Sequence, residues 1–595
     1  MKTTVPVIVK DPEVTKYVDI ATTEDYSFEE DFFLDGPVSA RVAVVDFDPV
    51  SGLLSPGVRF ETPKAGAKAG RYALADPQNL GSQDTTAVSV FGTVFKTIHM
   101  FEEDDVLGRK ITWAFDGGQL LVVPRAGEWA NAFYQRESRS LQFFFFGSGR
   151  DGKPVLTSHS QDIVSHETAH AILDGIAPSL YDAVSPQSLA LHEAIADLTA
   201  VISAFRCRPL RERVLQEERG SIQTSSAFSG LGEEFQSALG NGKQTYLRDL
   251  LNNKSLDPND PEGAVDRSEP HELSEVLTGA LYTVMVQLHE SLKTDFAKGQ
   301  LPSQELVEYE ETSQAPEASA PSPLAGNSAP SADDLRDAKI RVAGKALFVA
   351  AERFKRTILR ALDYLPPGEV SFGDYGRAII ASDKASHPLS GQQRKWICDE
   401  FVRRSIVEHA EDLDLDAAFD PGDVGDVKAL DLGALVESDW LAYDFANRHR
   451  SLLCIPGALP FKVLPRLAVK KAYYHRDGKK TTGEVIFKVS WTEIEDNRLG
   501  ADFPEKRRVA AGTTLAIDAE TKSIRARLTS DRSKGQRTDR DLLLRKLVDD
   551  EMLMIGDEVN GPDGVLLSGV VRGEVSEGLL RVRGSARLLH LTEVI

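Results

Sequence analysis

Three cysteines in 595 residues, at positions 207, 398 and 454, are too few and too scattered for a disulfide framework or a cysteine-ligated metal site. They read as reduced thiols, which makes a reducing compartment the expected setting. No apolar run is long enough to span a bilayer. Near the start only Val5-Pro6-Val7-Ile8-Val9 is apolar before the chain turns acidic, so no signal-peptide core is recognisable. Cytoplasmic residence is the expectation, and non-classical export stays compatible with it. Positive charge is in short supply too, with a net charge of −22. Such a surface repels phosphate, which argues against nucleic acid and against anionic membranes as partners. Residues 461–595 hold 25 Lys/Arg and 21 Asp/Glu, so the acidity belongs to the first 460. There is no G-x-S-x-G elbow, no G-x-x-x-x-G-K-[ST] loop and no internal repeat. A serine hydrolase and a phosphate-cradling loop are therefore set aside.

What the chain does contain is Val164-Ser165-His166-Glu167-Thr168-Ala169-His170, followed by Leu191-His192-Glu193-Ala194-Ile195-Ala196-Asp197. The first run is an H-E-x-x-H pentad. Residues four apart share a helix face, so His166 and His170 can aim two imidazoles at one point. A catalytic zinc takes three protein ligands and keeps a fourth position open, and two His plus one Glu is such a set. Glu193 is the candidate third ligand, and Glu167 lies beside the pair as candidate general base. A pentad alone arises by chance, so its surroundings carry the argument. Ile163, Ala169, Ile172 and Leu173 give the pentad helix an apolar side to bury. The second helix opens at Ser185-Pro186, a cap residue and a first-turn proline.

At this point the residues resemble the thermolysin-like zinc peptidases, the gluzincins whose third ligand is a Glu. Glu193-Ala194-Ile195-Ala196-Asp197 matches the family's E-A-x-x-D. The resemblance implies that Asp197 hydrogen-bonds a zinc-bound His and fixes its tautomer. It implies an oxyanion-binding tyrosine eleven residues past the second His, which is Tyr181. It implies a second donor to the tetrahedral intermediate in His271, oriented by Asp266, with Ser274 and Tyr282 at the expected offsets. Asn131-Ala132-Phe133-Tyr134 resembles the family's N-A-F-W/Y segment, so Asn131 and Ala132 are expected to bind the substrate backbone. The following run, Ser140 to Gly147, is expected to be the edge strand that pairs with an extended peptide. Arg248 is the candidate for the family's substrate-carbonyl arginine. No equivalent of the calcium-binding carboxylate clusters is found, which leaves calcium doubtful beside one catalytic zinc.

The resulting fold expectation is α+β, with a thermolysin-like two-lobed catalytic domain followed by a C-terminal β-rich domain. Residues 1–150 read as a β-rich N-terminal lobe interrupted by a helix over 85–103, with strands at 40–45 and 110–123. Residues 151–410 read as the helical zinc-binding lobe, with a disordered Pro/Ala/Ser-rich insertion at about 310–334. Helices are expected over 333–361, 372–382 and 391–408. An acidic linker at 411–459 leads to 460–595, where strands recur between turn signals around one helical segment near 539–551. That last region belongs to no recognised family, and binding of an unidentified partner is one role open to it. No long inhibitory propeptide is expected ahead of the N-terminal lobe.

The expected activity is zinc-dependent endopeptidase chemistry on a peptide or protein substrate. A zinc aminopeptidase with the same metal set is the nearest rival. It is disfavoured because no G-x-M-E-N segment is present to anchor a free α-amine. A non-catalytic peptide-binding protein retaining the fold is the other.

Overall fold

The computed structural model describes residues 1–9, 20–48, 51–63, 68–147, 154–224, 230–231, 248–299, 332–386, 391–414, 427–475, 478–555 and 571–583. The Pro/Ala/Ser-rich insertion lies outside the described residues except for 332–334, and so does 415–426 of the acidic linker.

The N-terminal part carries a four-stranded and a six-stranded sheet around helix α1, Gln83–Glu102. Val88, Phe91, Val94, Phe95, Ile98 and Phe101 are all buried, so α1 is the spine of this part and not an amphipathic surface helix. Of the expected strand over 110–123 only Leu120–Val123 pairs, because Gly117 sits at φ +103° and breaks the extended run. The six-stranded sheet ends at Ala132–Gln135. The strand Ser140–Phe143 lies inside it, pairing antiparallel with Ala132–Gln135 and parallel with Leu121–Val123. The expectation that Ser140 to Gly147 forms the edge is therefore corrected. A tight turn through Arg139, at φ +55°, folds the chain back and leaves Ala132–Gln135 as the edge strand.

The helical part is built on α2 (Gln161–Ile176), α3 (Pro186–Arg206), α4 (Pro270–Ala297) and α5 (Ala332–Arg360). α2 packs on α3, α3 on α4, and α4 on α5. The Ser160 side chain caps α2 by accepting from the Ile163 N–H, and Pro186 and Pro270 open α3 and α4. α6 (Phe372–Ser386) and α7 (Gln392–Arg403) close this part, α7 ending five residues before the expected 408. Among the described residues one helix, α3, is long and apolar enough to cross a membrane, and its apolar stretch is buried inside the protein.

The C-terminal region is an eight-stranded curled sheet with helix α8, Lys534–Asp549. Its longest strands, Gly478–Asp496 and Lys506–Asp518, pair over thirteen residues. Alternation gives each strand two faces, and here both are buried. Val485, Phe487, Val489 and Trp491 enter a core shared with the helices Leu432–Glu437 and Asp439–Arg448. The second half of the expected linker is thus folded onto the sheet. Leu432, Leu435, Ala442 and Phe445 supply an apolar face that the acidic composition conceals. From the other face, Ile486, Ala516, Ala526 and Leu528 join the main core of the helical part. Gly368, at φ +99°, permits this approach, since a Cβ there would stand 2.6 Å from the Ala510 carbonyl oxygen.

A buried ionic network seals the contact. Asp363 accepts from Arg109 and Lys471, both at 2.7 Å, and Glu484 from Arg525 at 2.6 Å, Arg360 at 3.3 Å and Tyr364 at 3.1 Å. Burial alone would raise both carboxyls. Lys471 and Arg109 beside Asp363, and Lys471 with Arg360 and Arg525 beside Glu484, hold them below the ordinary range instead. The folded-state value lies below the unfolded one. The stabilisation is therefore full above the unfolded carboxyl range, about pH 4, and is lost as pH falls through the folded value. Asp363→Asn is expected to destabilise the protein by about 3–5 kcal/mol at pH 7, because Lys471 and Arg109 lose their counter-charge in the interior. Urea unfolding at a series of pH values checks this: the gap to wild type should shrink below about pH 4.

Candidate metal centre

α2 and α3 bring the two motifs face to face. His166 Nε2 and His170 Nε2 stand 3.0 Å apart. Glu193 Oε2 is 3.5 Å from the first and Oε1 is 3.3 Å from the second. A tetrahedral zinc with bonds of about 2.0–2.1 Å sets its ligand atoms roughly 3.3–3.4 Å apart. The three edges agree with that to within a few tenths of an ångström. Glu193 is fully buried, and neither of its oxygens has a hydrogen bond of acceptable geometry from the protein. A sealed carboxylate that only titratable imidazoles and a more distant arginine face is costly, and a cation among these three groups would offset that cost. His166, Glu167 and His170 place ligand-type atoms within 4.8 Å of one another, so Glu167 also borders the point. The residues present therefore fit a divalent ion.

The surrounding groups orient the ligands. Asp197 Oδ1 lies 3.0 Å from His166 Nδ1, as expected of a carboxylate that fixes the imidazole with Nε2 directed at the metal. Burial disfavours charge on His166, but the hydrogen bond to Asp197 and the neighbouring Glu193 carboxylate outweigh it and raise its pKa to about 10. Burial would raise Glu193; His271, His170 and His166 instead hold it well below the usual carboxylate range. Arg248 Nη2 donates to Asp197 Oδ1 at 2.9 Å and stands 3.9 Å from Glu193 Oε2. The arginine expected on a substrate carbonyl is thus tied to the carboxylate behind His166.

His170 is held by a residue that sequence reasoning passed over. His192 Nδ1 lies 2.6 Å from His170 Nδ1, and the two rings stack with centroids 4.8 Å apart. Burial, reinforced by His170, keeps His192 well below the ordinary histidine value. A neutral His192 accepts the Nδ1 proton of His170 and leaves Nε2 of the latter for a metal. The only signal was an extra histidine directly before Glu193.

Glu167 is buried, and its Oε2 accepts from the Tyr134 N–H at 3.0 Å. The edge strand Ala132–Gln135 thereby runs past the general-base candidate. Asn131 and Ala132 sit at its start, both nearly buried, and Asn131 Oδ1 accepts from the Ala132 N–H at 2.8 Å.

His271 reaches the cluster from the first turn of α4, its Nε2 3.6 Å from Glu193 Oε2. Its orienting partner is not Asp266. The Asp266 carboxylate accepts from the Ser268 N–H and hydroxyl, a local turn that consumes the side chain. Glu269 takes the place: Oε1 lies 3.3 Å from His271 Nδ1 and also accepts from the His271 N–H at 3.2 Å, capping the helix. A glutamate at the cap, two residues before the histidine, was the available clue. Ser274 donates to the His271 carbonyl, and Tyr282 is buried against Phe205.

Tyr181 sits beside the edge strand. Its hydroxyl accepts from the Arg136 N–H at 3.1 Å, the Arg136 guanidinium covers its ring at 4.1 Å, and its remaining ring contacts are Tyr134 and His192. The short helix Pro178–Tyr181 brings the phenol to the end of the edge strand, beside Arg136.

A second acidic group, Glu103, Asp105 and Glu352, also has ligand spacing. Arg206, Lys355 and Arg356 already neutralise it, so it reads as a structural ion network.

No protein-family model matches the chain, and no curated protein matches it.

Elemental analysis after dialysis is expected to find about one equivalent of divalent metal, lost in Glu193→Ala and kept in Tyr181→Phe. His192→Leu removes the acceptor behind His170 and is expected to weaken metal affinity about 10–100-fold, read by chelator competition.

Proposed function

We propose that this chain is a zinc-dependent endopeptidase whose N-terminal and helical parts form the two lobes of a thermolysin-like catalytic domain. The observation that carries the reading is the convergence of His166, His170 and the sealed Glu193 carboxylate, with ligand-type atoms 3.0–3.5 Å apart. Two imidazoles and one carboxylate suit zinc by ligand type as well as by spacing. When bound there, zinc supplies an acidified water and a Lewis acid for a substrate carbonyl.

The remaining work belongs to the chain. Glu167 takes a proton from the attacking water as its oxygen bonds to the scissile carbonyl carbon. It then passes that proton to the amide nitrogen, the C–N bond breaks, and a free amine and a carboxylate leave. The Tyr134 N–H holds Glu167 in place through Oε2. His271 Nε2 is the donor for the developing oxyanion, with Glu269 gripping Nδ1 on the far side. In this reading an extended peptide lies along the edge strand Ala132–Gln135 and meets its carbonyls, since the Ala132 and Tyr134 N–H groups are already bonded to Asn131 and Glu167. A cytoplasmic setting accompanies this reading, in keeping with three cysteines that form no disulfide.

Internally quenched peptides and single-residue amides, tested on zinc-loaded wild type and Glu167→Gln, decide the matter. Wild type is expected to cut the peptides internally and leave the amides. Glu167→Gln should keep its zinc and lose about 10²–10⁴-fold in turnover. Near-normal turnover by that variant would sink the assignment of the base, and preference for the amides would favour an aminopeptidase.

A further inference from the structure

The C-terminal region reaches the candidate site through α8. Asp539 on α8 accepts from Arg267 Nη2 at 2.7 Å. Lys546, two turns further along α8, is 3.5 Å from Glu269 Oε2. Glu269 Oε1 is the group beside His271 Nδ1. Between these polar contacts Leu543, Leu544 and Leu547 of α8 pack with Val184 and Leu189, which flank the start of α3. α8 is itself anchored in its own sheet by Arg507 to Asp541 and by Arg540 to Glu495, while Arg540 also pairs with Glu369 of the helical part. One face of α8 thus touches the segment before His271 and the helix that carries Glu193.

We propose that α8 is a wall of the active site, holding the start of α4 so that Glu269 acts as the positioning residue for His271. This rests on the peptidase reading for its effect on rate, and on the contacts alone for its effect on structure. The physical reason is leverage. His271 stands on the first turn of α4, where helices fray, and a polar turn through Asp266 and Ser268 precedes it. Exposed ion pairs of this kind are individually weak. Two of them, beside a leucine-lined contact, restrict a short segment whose displacement by one ångström costs catalysis heavily. The C-terminal region is on this account a component of the catalytic unit and not an appended binding module.

Arg267 and Lys546 are each more than a third exposed, so Arg267→Met/Lys546→Met should fold. In the zinc-loaded full chain this double variant is expected to keep its zinc stoichiometry and a KM within about threefold, and to lose about tenfold in kcat. Deuterium uptake over residues 266–275 should rise. Glu269→Gln should lose kcat at unchanged zinc content, with uptake rising less than in the Met double variant because the Arg267–Asp539 pair remains. The conservative pair Arg267→Lys/Lys546→Arg should behave as wild type in every measurement. Wild-type kcat and uptake in the Met double variant would overturn the wall, and wild-type kcat in Glu269→Gln would overturn the positioning role. Should zinc-loaded wild type cleave no peptide, the peptidase reading fails, and uptake in the Met double variant alone decides whether α8 holds the segment.

Discussion

Glu193 is a carboxylate sealed from water in the middle of the helical part, and much of the local structure is arranged to offset its charge. Two imidazoles from α2 and a third from α4 face it, and Arg248 stands behind it. In a low-dielectric interior an uncompensated anion costs several kcal/mol. α2, α3 and the start of α4 are therefore fixed relative to one another by electrostatics as well as by packing. The same demand that holds the helices together marks the cluster as a place where a cation would fit.

Around that centre the protein uses a second layer of paired groups to make each ligand present one atom. Asp197 and His192 each take the Nδ1 side of one histidine, which leaves the two Nε2 atoms converging. The general-base candidate is restrained by a backbone N–H from the sheet edge, and His271 by the glutamate that also caps its helix. Each restraint comes from a different element. The centre is consequently sensitive to how sheet, helices and C-terminal region are docked.

The C-terminal sheet shows how docking of this kind is achieved without a continuous apolar face. Its long strands alternate, with Val485, Phe487 and Val489 turned to its own helices and Ile486 turned to the catalytic part beside Glu484. Glu484 and Asp363 tolerate burial because Lys471, Arg360, Arg525 and Arg109 surround them. Alternating faces with a charge network on one of them make a specific joint, since only one register pairs every ion.

The pentad, the third-ligand glutamate and its companion aspartate were all legible in the linear sequence. Helical periodicity is local, and four-residue spacing puts side chains on one face whatever the surroundings. Most helices could be read for the same reason, and so could the recurrent strands after residue 460. Three things could not. Which strand forms the sheet edge depends on pairing between segments, and the turn at Arg139 gave that place to Ala132–Gln135. Which acid grips His271 depends on where a turn directs each side chain, and Ser268 had already taken Asp266. Whether the last 135 residues stand apart or share a core depends on what faces the outer side of their sheet. Sequence by itself determined the reactive groups and their helical spacing, because both follow from neighbours along the chain. Tertiary structure alone decided which groups complete the site, because contacts between distant segments are settled by burial and charge pairing across the whole fold.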